Sequence, residues 1–206
     1  MSNTLTEWFR HVPEEKWLRD PAASRADAQA IWEKLELKAG VRVFACPCGK
    51  ADLSFPLARL GANVSGIDFN SHFVSAAKNK FSRAGLAGEF KTDDMRTAQF
   101  PEQMDLIINW ASSFGYFSDK DNADLLARFA KSLVEGGRLL IEARPGTLNP
   151  SAPPSSSRPH SSAVRCRQAS AFTRATNTVQ CWRLQASSSW TSTVRALRNS
   201  LPKAPV

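Results

Sequence analysis

Four short stretches of this sequence place acidic, polar and aromatic side chains where a ligand can use them. In the first, Cys46-Pro47-Cys48-Gly49-Lys50-Ala51-Asp52 follows an apolar run, and its glycine lets backbone N–H groups approach an anionic ligand group. In the second, Val64-Ser65-Gly66-Ile67-Asp68-Phe69-Asn70 ends an apolar run in an acid 19 residues beyond Gly49. An acid at that spacing is placed to accept hydrogen bonds from sugar hydroxyls. The third, Lys91-Thr92-Asp93-Asp94-Met95-Arg96, sets Asp94 beside the apolar Met95. The fourth, Asp105 to Phe117, runs from Leu-Ile-Ile into Asn109 and then Ser-Phe-Gly-Tyr-Phe, whose rings can attract a cation. Each stretch has a plainer account beside this one. Gly49 also suits a structural turn, and Asp68 an acid stabilised at a helix N-terminus. Asp93 and Asp94 fit a solvated acidic turn, and Phe114 and Phe117 fit core residues under the next helix.

The elements that must position these residues can be read from periodicity. Residues 5–37 read as helical, with an apolar face from Trp8, Phe9, Trp17 and Leu18 broken at Pro13 and Pro21. Ser24 is a suitable N-cap for a helix carrying Ala28, Ile31, Trp32 and Leu35 at helical spacing, with Asp27 three positions behind it. From residue 41 strands and helices alternate. Val41–Cys46 predicts a first strand, and Leu53, Leu57 and Leu60 a helix with Pro56 in its first turn. A second strand covers Asn63–Ile67, a second helix Ser71–Arg83, and a third strand Gly88–Lys91. A fourth strand covers Met104–Trp110, a long helix Asp119–Val134, and a fifth strand Arg138–Glu142. Apolar strands without alternating polarity, separated by helices, predict an α/β fold: a doubly wound, mostly parallel sheet with helices on both faces.

The charge balance separates the chain at the same place as the periodicity. The formal net charge is +8, yet residues 1–145 hold 19 Lys+Arg against 19 Asp+Glu. All of the excess lies in residues 146–206, which carry eight Lys+Arg and no carboxylate side chain. That segment also holds 18 Ser+Thr and six Pro, with no sustained period of 2 or 3.6. It reads as a disordered basic tail, as a nucleic-acid-binding arm, or as a C-terminal third replaced by a shift of reading frame. All three leave it poorly folded, so the sheet is expected to lack its last two strands. The expected organisation is a helical segment at 1–37, a ligand-binding α/β domain at 38–145, and the tail at 146–206.

Other function classes lack their motifs. There is no Gly-x-Ser-x-Gly elbow and no Walker A sequence, and His11, His72 and His160 are too scattered for a metal site. A nicotinamide-binding domain needs Gly-x-Gly-x-x-Gly after the first strand, which Cys46–Asp52 does not supply. No stretch approaches a membrane span, and the N-terminus lacks the apolar core of a signal peptide. Cys46, Cys48, Cys166 and Cys181 have neither disulfide-framework nor zinc-site spacing, which suits thiols in a reducing cytoplasm.

Taken together, the four stretches resemble the class I, Rossmann-like S-adenosylmethionine-dependent methyltransferases, in particular a bacterial small-molecule-type group. Pro47-Cys48-Gly49 resembles a Pro-Cys-Gly variant of the family's glycine-rich loop. Ala45 stands where the family carries an acid, and Ala51 where it carries a third glycine. Gly66-Ile67-Asp68-Phe69-Asn70 resembles the family's Gly-Val-Asp-x-Ser, and Asp93-Asp94-Met95-Arg96 its Gly-Asp-Met-Arg. The resemblance implies S-adenosylmethionine as cofactor and Cys48, Gly49, Asp68, Phe69, Asp94, Met95 and Asn109 as its binding residues. In that family the acid after the second strand holds the ribose, and the acid after the third accepts from the adenine amino group. It also implies a small-molecule methyl acceptor, with no nucleic acid, membrane or metal expected as partner. No catalytic residue is singled out, and the resemblance leaves oligomeric state open. The alternatives are a truncated or decayed relative without catalysis, and a binding protein whose basic tail contacts nucleic acid.

Overall fold

The computed structural model describes residues 10–11, 19–111, 113–143, 164–174 and 177–186, the last two stretches as backbone. The expected helix over 5–18 therefore falls mostly outside the described residues, as do Ser112 and the remainder of 144–206. The chain divides into two compact units, Met1–Gln99 and Phe100–Val206.

In the first unit, helix α1 (Pro21–Lys34) starts earlier than its apolar spacing suggested. Its N-cap is Asp20, whose carboxylate accepts from the Ala22 N–H at 2.9 Å. Ser24, expected as the cap, is instead buried inside the first turn. Pro21 does not break the helix, because it takes the first helical position, where a missing N–H costs nothing. Asp27 is likewise not a capping acid, since it pairs with Arg19 at 2.7 Å. Ala28 and Ile31 are the buried face that the spacing predicted.

Strand β1 (Arg42–Ala45) leads into α2 (Ser54–Arg59), with Pro56 in the first turn as expected. Next come β2 (Asn63–Asp68), α3 (Ser71–Arg83) and β3 (Glu89–Thr92). All three strands are parallel, in the order β3-β2-β1, with Ala45 opposite Gly66 and Asp68 opposite Thr92. The sheet face is filled by α3 residues at helical spacing: Phe73, Val74, Ala77 and Phe81 are buried. Phe81 meets Phe55 and Phe90 edge-on, with centroids 5.6 and 4.8 Å away.

Asn70 fixes where α3 begins. Its Oδ1 accepts from the N–H groups of His72 at 2.9 Å and Phe73 at 3.4 Å, two donors the helix cannot satisfy itself. Asn70→Ala is expected to cost about 1 kcal/mol of unfolding free energy, read as a lower urea midpoint at unchanged slope.

In the second unit, β4 (Met104–Asn109) is followed by α4 (Asp119–Ser132) and β5 (Leu133–Ala143). Leu106, Ile107 and Ile108 are all buried, so β4 is covered on both faces. From α4, Leu125, Leu126 and Phe129 are buried, and Phe129 stacks on Phe100 with centroids 5.3 Å apart. Strands β4 and β5 run parallel, with Leu106 opposite Arg138 and Asn109 opposite Ile141.

The end of the chain corrects the sequence-based expectation. Two further strands, β6 (Val164–Arg174) and β7 (Asn177–Ala186), form an antiparallel hairpin. β7 pairs antiparallel with β5, from Arg138 opposite Arg183 to Ala143 opposite Thr178, giving the order β4-β5-β7-β6. The last two strands are therefore present, β5 is not an edge, and the stretch expected to be disordered contains regular structure. The physical reason lies in a register shift between Gln168 and Ser170. The extra residue in β6 reverses the phase of that strand's two-residue period, so β6 shows no sustained alternation.

Candidate functional site

The first unit gathers three of the four sequence stretches at the ends of its parallel strands, and hydrogen bonds tie them to one another. After β1, the Cys48 N–H donates to the Ile67 carbonyl at 2.7 Å, which draws the loop onto β2. Gly49 follows in the left-handed region (φ +53°), with open space where a Cβ would stand. Its N–H donates to Asp68 Oδ2 at 2.8 Å. Ala51 also adopts a left-handed conformation (φ 57°), the conformation a glycine would supply with less strain. Replacing that glycine by alanine therefore keeps the turn.

Asp68 closes β2 and is 8% exposed. Its other oxygen, Oδ1, accepts from the Asn70 N–H at 2.9 Å. Each carboxylate oxygen has a second lone-pair direction, and with the Asn70, Gly49 and Phe69 amides bearing on the carboxylate, acceptor capacity remains for a hydroxyl donor. Burial pushes this carboxyl up to about 6, against the downward pull of the Asn70, Gly49 and Phe69 amides. Burial likewise pushes the Cys48 thiol well above its ordinary range, and the neighbouring Asp68 charge adds to the rise. Cys48 is thus a buried, neutral wall of the loop.

The Asp68 carbonyl in turn accepts from the Asp93 N–H at 3.0 Å, which fastens the turn after β3 to the tip of β2. Within that turn Arg96 embraces Asp94, with Nε 3.0 Å from both carboxylate oxygens and one terminal nitrogen 2.6 Å from Oδ2. The Arg96 backbone N–H also donates to Asp94 Oδ1 at 2.9 Å. Burial works to raise Asp94, but the Arg96 fork, its N–H and its charge, with the charge of Arg10, hold the carboxyl below its ordinary range. Phe69 and Met95, which follow the two acids, are each partly exposed. Arg10 places its guanidinium carbon 4.3 Å from the Phe69 ring centroid.

Gly49 and Asp68 are therefore joined directly and Cys48 is tied to the adjacent Ile67, with Phe69 next in the chain and Asp94 and Met95 on the tethered turn. This donor set suits an adenosine. A buried acid with spare lone pairs matches a sugar diol, a second acid matches an exocyclic amine, and two partly exposed apolar side chains match the faces of a base. Open space above Gly49 leaves room for the chain beyond the ribose.

In the second unit, Asn109 closes β4 and is wholly buried. The backbone turns sharply after it, with Ala111 at φ 60°. The Ala111 N–H donates to Glu142 Oε2 at 2.8 Å, and Glu142, near the end of β5, is 1% exposed. Of the aromatic residues beyond, Phe114 is buried, Phe117 partly buried, and Tyr116 42% exposed. Among the described residues no cluster of three or more side chains has the composition of a metal site, and no helix is long and apolar enough to cross a membrane.

Sequence reasoning did not single out Arg10, Gly66 or Glu142. Gly66 stood inside a quoted motif, and its spacing from Asp68 was the available signal. Arg10 and Glu142 gave none, because their partners are far away in the chain.

Residues 43–137 match the methyltransferase domain family. Over 93 residues the chain is 30% identical to a ubiquinone biosynthesis O-methyltransferase of Nitrobacter winogradskyi, covering 45% of this chain and 35% of that protein. It is 31% identical over 110 residues to phosphoethanolamine N-methyltransferase 1 of Zea mays, covering 53% of this chain and 22% of that one. The matches thus span about a third or less of these relatives' lengths. Among solved structures, magnesium protoporphyrin IX methyltransferase from Synechocystis, with bound S-adenosylmethionine, superposes with a TM-score of 0.59 at 18% identity. That likeness covers 90% of this chain and 96% of that one. A TehB-like S-adenosylmethionine-dependent methyltransferase from Corynebacterium glutamicum gives a TM-score of 0.56 at 17% identity, over 81% of this chain and all of that one. These structural likenesses establish the doubly wound, Rossmann-like α/β fold.

Proposed function

We propose that this protein, whose residues 43–137 match the methyltransferase domain family and whose fold is Rossmann-like, transfers a methyl group from S-adenosylmethionine to a small-molecule acceptor. The observation that carries this reading is Asp68: a buried carboxylate at the tip of β2, held by the Gly49 and Asn70 amides with acceptor capacity to spare. Residues 38–145 are taken as the cofactor-binding domain. The four cysteines, without disulfide-framework spacing, suit work in the cytoplasm.

When bound, the cofactor supplies a methyl group already activated on a sulfonium. The protein's own part is positioning and the exclusion of water. Asp68 accepts from the ribose hydroxyls, Asp94 accepts from the adenine amino group, and Phe69 and Met95 flank the ring. Cys48 and Gly49 line the methionine side, and Asn109 is assigned to the cofactor set at the end of β4. The acceptor's nucleophile is an oxygen or nitrogen.

A second reading, cofactor binding without turnover, rests on Ala45, which has no carboxylate for the cofactor's amino end. Calorimetric titration of S-adenosylmethionine into the full chain tests the proposal. Micromolar binding is expected, and a folded protein that releases no heat at millimolar ligand overturns it. Methylated product from a screen of small oxygen and nitrogen nucleophiles would exclude the second reading.

A further inference from the structure

The turn between β1 and α2 takes two left-handed residues in close succession, Gly49 at φ 53° and Ala51 at φ 57°. Glycine adopts that conformation freely, whereas alanine resists it because its Cβ crowds the following carbonyl oxygen. A turn of this shape has to be held from both sides. On one side the Cys48 N–H donates to the Ile67 carbonyl and the Gly49 N–H to Asp68 Oδ2, both on β2. On the other, Asp52 accepts from Lys80 Nζ at 2.6 Å, and Lys80 belongs to the last turn of α3. The two side chains are 28% and 32% exposed. An acid beside a helix start ordinarily serves that helix's own N–H groups. Asp52 does not: it stands next to Leu53, the N-cap of α2, yet α2 has no side-chain cap. Its carboxylate is turned to α3 instead.

We propose that Lys80 is a positioning residue for the cofactor loop: through Asp52 it holds Ala51 in its left-handed conformation and so keeps the Gly49 N–H on Asp68. The inference rests on the reading of this chain as a binder of S-adenosylmethionine, and it gives Lys80 a part played wholly through Asp52. Without the pair, Ala51 relaxes toward the right-handed region and draws Gly49 away from Asp68. The binding-competent loop is then a smaller fraction of the molecules, and apparent affinity falls in proportion. An ion pair still partly open to water contributes modestly, so the effect is a measurable weakening and not a loss of binding.

The test measures the dissociation constant of S-adenosylhomocysteine for the full chain, for Lys80→Met, for Asp52→Asn and for the two combined. The same set is repeated with Ala51→Gly added. Ligand-free melting temperatures are recorded alongside, so that every titration is run on folded protein. The expected result is a loss of about threefold in Lys80→Met. Asp52→Asn should match it, and the combined variant should lose no more, since the two side chains act as a pair. In the Ala51→Gly background Lys80→Met should cost much less, because glycine takes the turn without help. A pair with only a structural role would lower the melting temperature and leave the dissociation constant of the folded chain unmoved, and that result overturns the inference alone. So does a loss that Ala51→Gly fails to reduce, or losses that add in the combined variant. A parent chain that does not bind S-adenosylhomocysteine overturns the cofactor reading and the inference with it.

Discussion

Asp68→Ala is expected to abolish affinity for S-adenosylmethionine, a loss of at least about a hundredfold, since hydrogen bonds to a charged acceptor contribute about 1.5–3 kcal/mol each. The substitution removes the acceptor proposed for the ribose hydroxyls, together with that of the Gly49 and Asn70 amides that shape the loop. Asparagine is not a neutral replacement, because its amide nitrogen would turn a donor toward one of those two N–H groups. An unchanged dissociation constant in Asp68→Ala would show that the cofactor binds elsewhere. The same residue fixes a pH dependence. Its carboxyl is raised from 3.8 to about 6, chiefly by burial. The ionised form, which accepts best from hydroxyls, fills as pH rises through about 6, so affinity should strengthen from pH 5 to pH 7. Stability moves the other way. An acid whose folded value is raised contributes stability that is present below its unfolded value and is lost as pH rises toward 6. The contribution from Asp68 is at most about 3 kcal/mol. Thermal melts of the ligand-free chain between pH 4 and 6 should show this slope, and Asp68→Ala should flatten it.

Gly66→Ala is expected to be the most damaging single-methyl change in the first unit. A Cβ at this position would stand 2.6 Å from the Cys48 Cβ and 2.8 Å from the Ala45 carbonyl oxygen. Neither neighbour is the free end of a flexible side chain. Ala45 is paired with Gly66 across β1 and β2, and Cys48 is held to Ile67 through its N–H. Relief therefore requires parting two hydrogen-bonded strands or lifting the loop that carries Gly49. Overpacking of this kind costs about 1–3 kcal/mol, which for a chain of this size lowers the melting temperature by about 2–12 °C. Cofactor affinity should fall with it, because the Gly49–Asp68 contact sits on the displaced loop. A variant that melts and binds like the parent would show that the β1–β2 approach is looser than the geometry requires.

The sequence by itself determined the parts of the molecule that depend on short-range pattern. The α/β class followed from apolar runs alternating with helical spacing, and the helix expected over Ser71–Arg83 has those bounds in α3, although its Asn70 cap was not anticipated. Pro56 was placed in a first turn because only there is its missing N–H harmless. Asp68 was legible as a candidate site residue because an apolar strand ending in an acid is a local feature. What the tertiary structure decided depends on groups that meet from distant positions. Asp20 took the α1 cap from Ser24, because burial of Ser24 and the Arg19–Asp27 pair favour the earlier start. The β6–β7 hairpin escaped notice because a register shift interrupts the period of β6 and the partner strand β5 lies far back in the chain. The upward displacement of the Asp68 carboxyl required the burial that only packing creates. Arg10 over Phe69 and Glu142 under Ala111 have no trace in local spacing, since each pair is made by the fold and by nothing in the intervening residues.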